Sequence, residues 1–289
     1  MRKIFESAQD FVWRNGRLLE RQLFTYLFNN GSENSVLSAL RAFQNSDGGF
    51  GNGLEPDKRC PHSQPVDVEM AFHILDILEN FDNPMVLKAC DYLVTITTKQ
   101  GGVPFVLPSV LSYPRAPWWN TEENPSASLN PTCSLVGYLL KHNASHSWLD
   151  KAILYCWEAI STTETTQFHE IMPMLSFLEN VADKQKAEKE IEKISRRIKS
   201  SDVIRYDPDT EGYVQFPLDW APTPESSLRK IISVEIIQEH LEILKARQME
   251  DGGWPINWVP ISPGVELEWR SWKTIQALLV LSANGFPIS

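Results

Sequence analysis

The sequence predicts an all-α fold built from antiparallel helical hairpins, and three observations predict it. Apolar residues recur at helical spacing along most of the chain, whereas no set of segments alternates as strands do. One phrase is used twice, Gln44-Asn45-Ser46-Asp47-Gly48-Gly49-Phe50 and Gln248-Met249-Glu250-Asp251-Gly252-Gly253-Trp254, each time closing an apolar run. The links between helical runs come in two kinds, some short and others long, polar and rich in aromatics. Hairpins with short links at one end and elaborated loops at the other would gather their chemistry on one rim.

The first helical segment covers 4 to 28, with a break expected near Asn15-Gly16. Val36, Leu37, Leu40 and Phe43 then form a stripe leading into the first phrase, and Leu241 and Leu244 stand before Gln248 as Leu37 and Leu40 stand before Gln44. Further helices are expected over 66 to 80, 84 to 98, 130 to 142, 147 to 161, 167 to 181, 183 to 200, 233 to 247 and 267 to 284. The links Asn80 to Pro84, Asn143 to Ser147 and Thr162 to Thr166 are short enough for adjacent antiparallel helices. The stretches 46 to 65, 99 to 129, 201 to 232 and 249 to 266 are the long ones. Val103 to Val110 can extend locally, but Pro104 and Pro108 keep it out of a central strand. Residues 201 to 232 have to return across the body, with a short helix expected near Glu225 to Ile231.

The phrase itself has a physical reading. Its first glycine suits a left-handed helix end, its aspartate suits an Asx turn, and Phe50 or Trp254 can pack back over the helix end.

A chain of 289 residues buries a large core without disulfides, and no Gly/Ser linker divides it. One domain over 1 to 289 is therefore expected, with 1 to 30 as an N-terminal helical segment. The net charge of -10 argues against an extended nucleic-acid surface. The basic residues between Lys184 and Arg205 alternate with glutamates, as on a solvated helix face. Glu6, Gln9, Asp10, Arg14 and Arg17 interrupt every early apolar run, and no apolar stretch is long enough to span a bilayer. A cytoplasmic location is the resulting expectation. Cys60, Cys90, Cys133 and Cys156 lack any CxxC spacing; Cys90 and Cys156, in helical segments, are expected as reduced core residues.

At the two Gly-Gly phrases the chain resembles the alpha/alpha toroid superfamily, which includes squalene and terpene cyclases and protein prenyltransferase beta subunits. In that superfamily paired helices form an inner and an outer ring, and similar Gln...Asp-Gly-Gly-aromatic segments mark the repeats. Gln100-Gly101-Gly102 stands as a degraded third copy, and Gly53-Leu54-Glu55-Pro56-Asp57 followed by Ser63-Gln64-Pro65 is similar to a bacterial subgroup. The resemblance implies an alpha/alpha toroid, complete or partial. It also implies a terpene-cyclase-like enzyme that acts on an isoprenoid or similar apolar substrate by acid-initiated cyclisation or isomerisation. The chain departs from the superfamily's catalytic signatures. It has no Asp-x-Asp-Asp acid motif, Asp207-Pro208-Asp209-Thr210 being one carboxylate short, and no Asp-Asp-x-x-Asp motif. Nothing matches the surroundings of the prenyltransferase Asp, Cys, His zinc site.

The densest polar cluster runs through Glu55, Asp57, Arg59, His62, Gln64, Asp67 and Glu69. Asp67 and Glu69 fall at a predicted helix start, where carboxylates complement unpaired N-H groups, so capping competes with catalysis as their role. Asp57 or Asp67 is the candidate acid, with Asp219 and Glu268 as partners or bases. His62 and Arg270 are candidates for orienting polar substrate atoms, with Glu55 and Arg59 beside them. Trp118, Trp119, Trp220, Trp258 and Trp269 fall in or next to the long loops and are expected to shape a ligand surface. His73, inside an apolar run, is expected to support packing or a helix hydrogen bond. No metal-ligand spacing occurs and no cofactor is predicted, though scattered carboxylates are of the kind that ligate magnesium or calcium.

Two other readings share these residues. Tryptophan platforms with paired carboxylates suit a carbohydrate-active hydrolase or lyase, in which the carboxylate separation sets the mechanism. A non-catalytic protein-binding toroid would instead carry its aromatics on an open patch.

Overall fold

A computed structural model describes residues 2 to 286 of the chain. Among them are twelve α-helices, three short 3-10 turns and isolated β-bridges, with no extended strand. The helices are α1 (Arg2–Asn15), α2 (Leu18–Phe28), α3 (Glu33–Arg41), α4 (Pro65–Ile77), α5 (Pro84–Ile96), α6 (Leu129–Lys141), α7 (Trp148–Thr162), α8 (Phe168–Asn180), α9 (Lys184–Ser200), α10 (Pro217–Trp220), α11 (Val234–Ala246) and α12 (Pro263–Ala283). The fold is all-α, and no described helix is long and apolar enough to cross a membrane.

Several boundaries are written in the sequence chemistry. Proline opens α4, α5 and α12, where its missing N-H is not needed. Asn83 caps α5 by accepting from Met85 N at 3.1 Å. Ser262 caps α12 by accepting from Val265 N at 3.3 Å, so that helix starts at Pro263, ahead of the expected position 267. The break expected near Asn15-Gly16 is present, with Arg17 in extended backbone before α2.

Contacts gather in two compact units where the sequence reading expects one domain: Met1–Ala39 with Ile198–Ser289, and Leu40–Arg197. Helices α1 and α2, expected as an N-terminal segment, both pack on α12, which explains why the first unit joins distant stretches of sequence. In that unit the segment 201 to 232 forms α10 and a 3-10 turn at Arg229–Ile231, in place of a helix over 225 to 231. Arg247 donates to Pro208 O at 2.6 Å and Asn284 Nδ2 to Pro222 O at 2.8 Å, tying the segment to the ends of α11 and α12.

In the unit Leu40–Arg197, α6 packs on α4, α7 and α8, and most of its residues are buried. Gly137 lets α6 lie against α8, since a Cβ there would run into Ser176. Helices α4 and α6 are parallel: His73 meets Tyr138 and, further along both helices, Asp76 meets His142.

All three Gly-Gly segments build the same docking turn. The amide of the first glycine bonds back three residues and the second glycine's carbonyl accepts from the same residue, as at Asn45, Thr98 and Met249. The first glycine has φ of 90°, 97° and 93° at Gly48, Gly101 and Gly252, the left-handed region that favours glycine. Each lies flush against a carbonyl of another helix, Lys88 on α5, Lys151 on α7 and Ser7 on α1, and the second glycine lies against the ring four residues on, Tyr92, Tyr155 or Phe11. Gln44 Nε2 bridges Gly48 O and Met85 O at 2.9 and 3.0 Å, and Gln248 Nε2 bridges Gly252 O and Ile4 O at 2.8 Å each. The degraded copy lacks this glutamine. There Trp148, at the place of Met85 and Ile4, donates its indole N-H to Thr97 Oγ1 at 2.8 Å.

Candidate functional site

The first docking turn anchors the loop that carries the polar cluster. Asp47 Oδ1 accepts Gly49 N at 2.9 Å, forming the expected Asx turn, and also Ser63 Oγ at 2.7 Å. Tyr92 OH donates to Ser63 O at 2.9 Å, and Gln64 N to Phe50 O at 2.8 Å. Gln64 then reaches the next long loop, accepting from Leu107 N and donating to Ser109 Oγ, both at 2.8 Å. Two further backbone bonds, Arg59 N to Pro114 O and Ala116 N to Asp57 O, each 2.8 Å, hold Lys58 opposite Arg115.

Inside this double loop sits a buried ionic group. Lys58 donates to Asp67 Oδ1, and the Glu55 backbone N-H donates to the same oxygen at 2.8 Å. Asp67 stands in the first turn of α4, so the helix N-terminus also favours its negative charge. Glu55 and Asp57 are 6% and 2% exposed. Burial pushes the Glu55 carboxyl up to about 8; the Lys58 ammonium opposes the shift, while Asp57 and Asp67 add to it. Glu55 Oε2 and Trp119 Nε1 are both buried without a hydrogen-bond partner. The Trp119 ring centroid lies 5.7 Å from Lys58 Nζ and stacks on Phe105 at 4.9 Å.

Asp57 and Asp67 thus come together with Glu55 and Trp119, but Asp67 serves as the counter-ion of Lys58. Neighbouring Trp118 faces outward at 45% exposure. His62 lies on the outside of the loop, its Nε2 3.1 Å from Tyr113 OH, and Arg59 is half-buried.

The remaining candidates lie in the other unit and do other work there. Asp219 caps α10 by accepting Phe216 N at 2.8 Å, and Glu268 lies 3.9 Å from Arg17. Arg270 donates to Asp251 Oδ1 at 2.7 Å and sits over the Phe11 ring at 4.6 Å, bracing the docking turn. Trp220 is buried in the core. Trp258 meets Trp269 edge-on at 5.3 Å and Tyr213 at 6.0 Å, forming a half-buried aromatic corner. Among the described residues, no group of three or more His, Cys, Asp or Glu is placed to hold a metal ion, and all four cysteines are buried and unlinked.

Sequence reasoning missed Lys58 as a site residue. Its only signal was one lysine inside a run of carboxylates, with its partner nine residues further on.

No family model matches the chain, and no curated protein is similar to it. In fold it is similar to a solved structure described as a crystal structure of a protein from Actinoplanes, with a TM-score of 0.59 and 13% identity, over 97% of this chain and 99% of that one. At that identity the likeness is one of fold alone.

Proposed function

We propose that the protein is a proton-transfer enzyme acting on an isoprenoid or similar apolar small molecule, with Glu55 as the acid. The observation that carries this reading is the Glu55 carboxyl, buried, held protonated up to about pH 8 and with Oε2 unbonded. A carboxylic acid kept neutral at physiological pH is suited to protonating a weakly basic group such as an alkene.

In the proposed reaction the Glu55 proton adds to one alkene carbon and positive charge forms on the other. The stacked Trp119 and Phe105 rings offer aromatic faces to that charge. The new carboxylate forms beside Lys58, whose ammonium offsets its burial. Return of a proton from another substrate carbon to Glu55 completes an isomerisation or cyclisation and restores the acid. Substrate entry requires movement of the structure around Glu55, which is nearly closed off from solvent. The resemblance of the two Gln...Asp-Gly-Gly-aromatic phrases to those of terpene cyclases supports the substrate class.

The test is incubation of the purified protein with diphosphate-free isoprenoid olefins, alcohols and epoxides in D2O, with mass spectrometry of the products. Deuterated isomers or cyclised products are expected, and Glu55→Gln should lower their formation by about a hundredfold or more while remaining folded. Absence of deuterium uptake by the wild-type protein, or full activity of the variant, overturns the reading.

A further inference from the structure

Three aromatic side chains that the proposed reaction leaves unused meet in the unit formed by Met1–Ala39 with Ile198–Ser289. Tyr213 comes from the segment 201 to 232, Trp258 from the loop after the last docking turn, and Trp269 from α12. Trp258 is the middle ring. Its plane stands at 89° to Tyr213 and at 84° to Trp269, with centroids 6.0 and 5.3 Å away. The backbone braces this arrangement. Asn257 Nδ2 donates to Val214 O at 2.8 Å, joining the neighbours of Trp258 and Tyr213, and Arg205 N donates to Gln215 O at 3.0 Å, closing the loop that carries Tyr213. Trp269 stands on a helix capped by Ser262.

These rings do not form a core. Tyr213 is 53% exposed, Val259 beside Trp258 is 84% exposed, and Trp258 and Trp269 are half-buried. Braced rings that stay within reach of solvent are a ready ligand surface.

Their mutual angles decide which ligand. A sugar stacks on one flat face, whereas rings at right angles offer a corner. A cation seated about 4 Å from both planes of such a corner has the two centroids roughly 6 Å apart, the spacing of Tyr213 and Trp258. Each face presents the negative side of its quadrupole. A corner walled by rings gives an N-H-bearing ammonium few acceptors, but it suits a quaternary ammonium, which has no N-H to satisfy and packs its methyl groups on the faces.

The surrounding charges have the matching sign. Glu266, half-buried on α12, stands one turn before Trp269 on the same helix face. Asp209 and Glu211 are exposed on the loop that carries Tyr213. Arg205, the one basic residue between 201 and 228, is paired with Asp202.

We propose that Tyr213, Trp258 and Trp269 bind a small quaternary ammonium cation of the choline type. The trimethylammonium group takes the corner between the ring faces, with Glu266 as the nearby counter-charge, and the rest of the ligand stays in solvent.

The test is calorimetric titration of the full chain with choline chloride and, separately, with 3,3-dimethyl-1-butanol, the uncharged isostere in which carbon replaces nitrogen. Choline should bind at least about tenfold tighter than the isostere, and glycine betaine, which adds a carboxylate, should bind more weakly than choline. Trp258→Ala should abolish choline binding. Tyr213→Ala should weaken it about tenfold, whereas Tyr213→Phe, which keeps the ring face, should retain it. Glu266→Gln should weaken choline and leave the isostere unchanged. Tyr213 is exposed, so its variants decide the matter should Trp258→Ala fail to fold. No binding of choline by the wild-type protein at millimolar concentration, equal binding of choline and the isostere, or unchanged choline binding in Tyr213→Ala overturns the proposal.

Discussion

The Lys58 ammonium and the Glu55 backbone N-H converge on one oxygen of Asp67, and the Lys58 and Asp67 side chains are both fully buried. That oxygen fastens the 55 to 58 loop to the start of α4, so one carboxylate holds both a charge and a chain direction. Removing either partner leaves the other ion buried alone, which typically costs about 3–5 kcal/mol. Lys58→Met and Asp67→Asn should each destabilise the protein by that much in urea unfolding. The double variant Lys58→Met/Asp67→Leu should lose less than the two single effects added together; strict additivity would show that the pair is not coupled.

Glu55 gives stability a distinctive pH dependence. Its ordinary value is 4.5 and its folded value about 8. Between these the folded state holds a proton that the unfolded state has released. Stability is therefore fully present below pH 4.5 and declines as pH rises towards 8. The decline amounts to about 3 kcal/mol by pH 7, at about 1.4 kcal/mol per pH unit. Glu69 contributes with the same sign up to about 7. Glu55→Gln should flatten the slope of unfolding free energy between pH 5 and 8, roughly those limits. A slope identical to wild type would refute the burial-driven shift.

Two glycines with the same backbone conformation separate strain from crowding. Gly252 and Gly212 have φ of 93° and 91°, but a Cβ at Gly252 would overlap the Ser7 carbonyl, whereas nothing lies near Gly212. Gly212→Ala should cost about 1 kcal/mol from backbone strain alone. Gly252→Ala should cost a further 1–3 kcal/mol or so from overpacking, read as a lower denaturation midpoint. Equal losses would mean that α1 does not sit against the docking turn.

Adjacent tryptophans should behave oppositely. Trp119 is 7% exposed and stacked on Phe105, whereas Trp118 is 45% exposed. Trp119→Ala should lose about 3–5 kcal/mol, and Trp118→Ala less than about 0.5 kcal/mol, both measurable by thermal or urea unfolding. A large loss from Trp118→Ala would contradict the placement of that ring in solvent.

The helices are legible because their ends carry local chemistry, such as Pro84 after Asn83; α12 starts ahead of its apolar periodicity, at the Ser262-Pro263 cap. The grouping of Asp57 with Asp67 was legible from the density of ionisable residues in one loop. What sequence does not encode locally is which of them faces a cation. Lys58 reads by default as a solvated side chain, and only tertiary burial makes it the partner of Asp67. Trp220 and Arg270 show the converse: residues beside long loops are not thereby exposed, since one fills the core and the other braces Asp251. The meeting of His73 with Tyr138 depends on the register of two parallel helices distant in sequence, which no periodicity within either one reveals.

The docking turns recognise their partner helices mainly through backbone carbonyls, at Lys88, Lys151 and Ser7, and ask of the side chains only a ring four residues on. Such a joint is nearly blind to the identity of what it joins. A helix can change almost all of its residues without losing its seat, so mutational drift meets little resistance at these junctions.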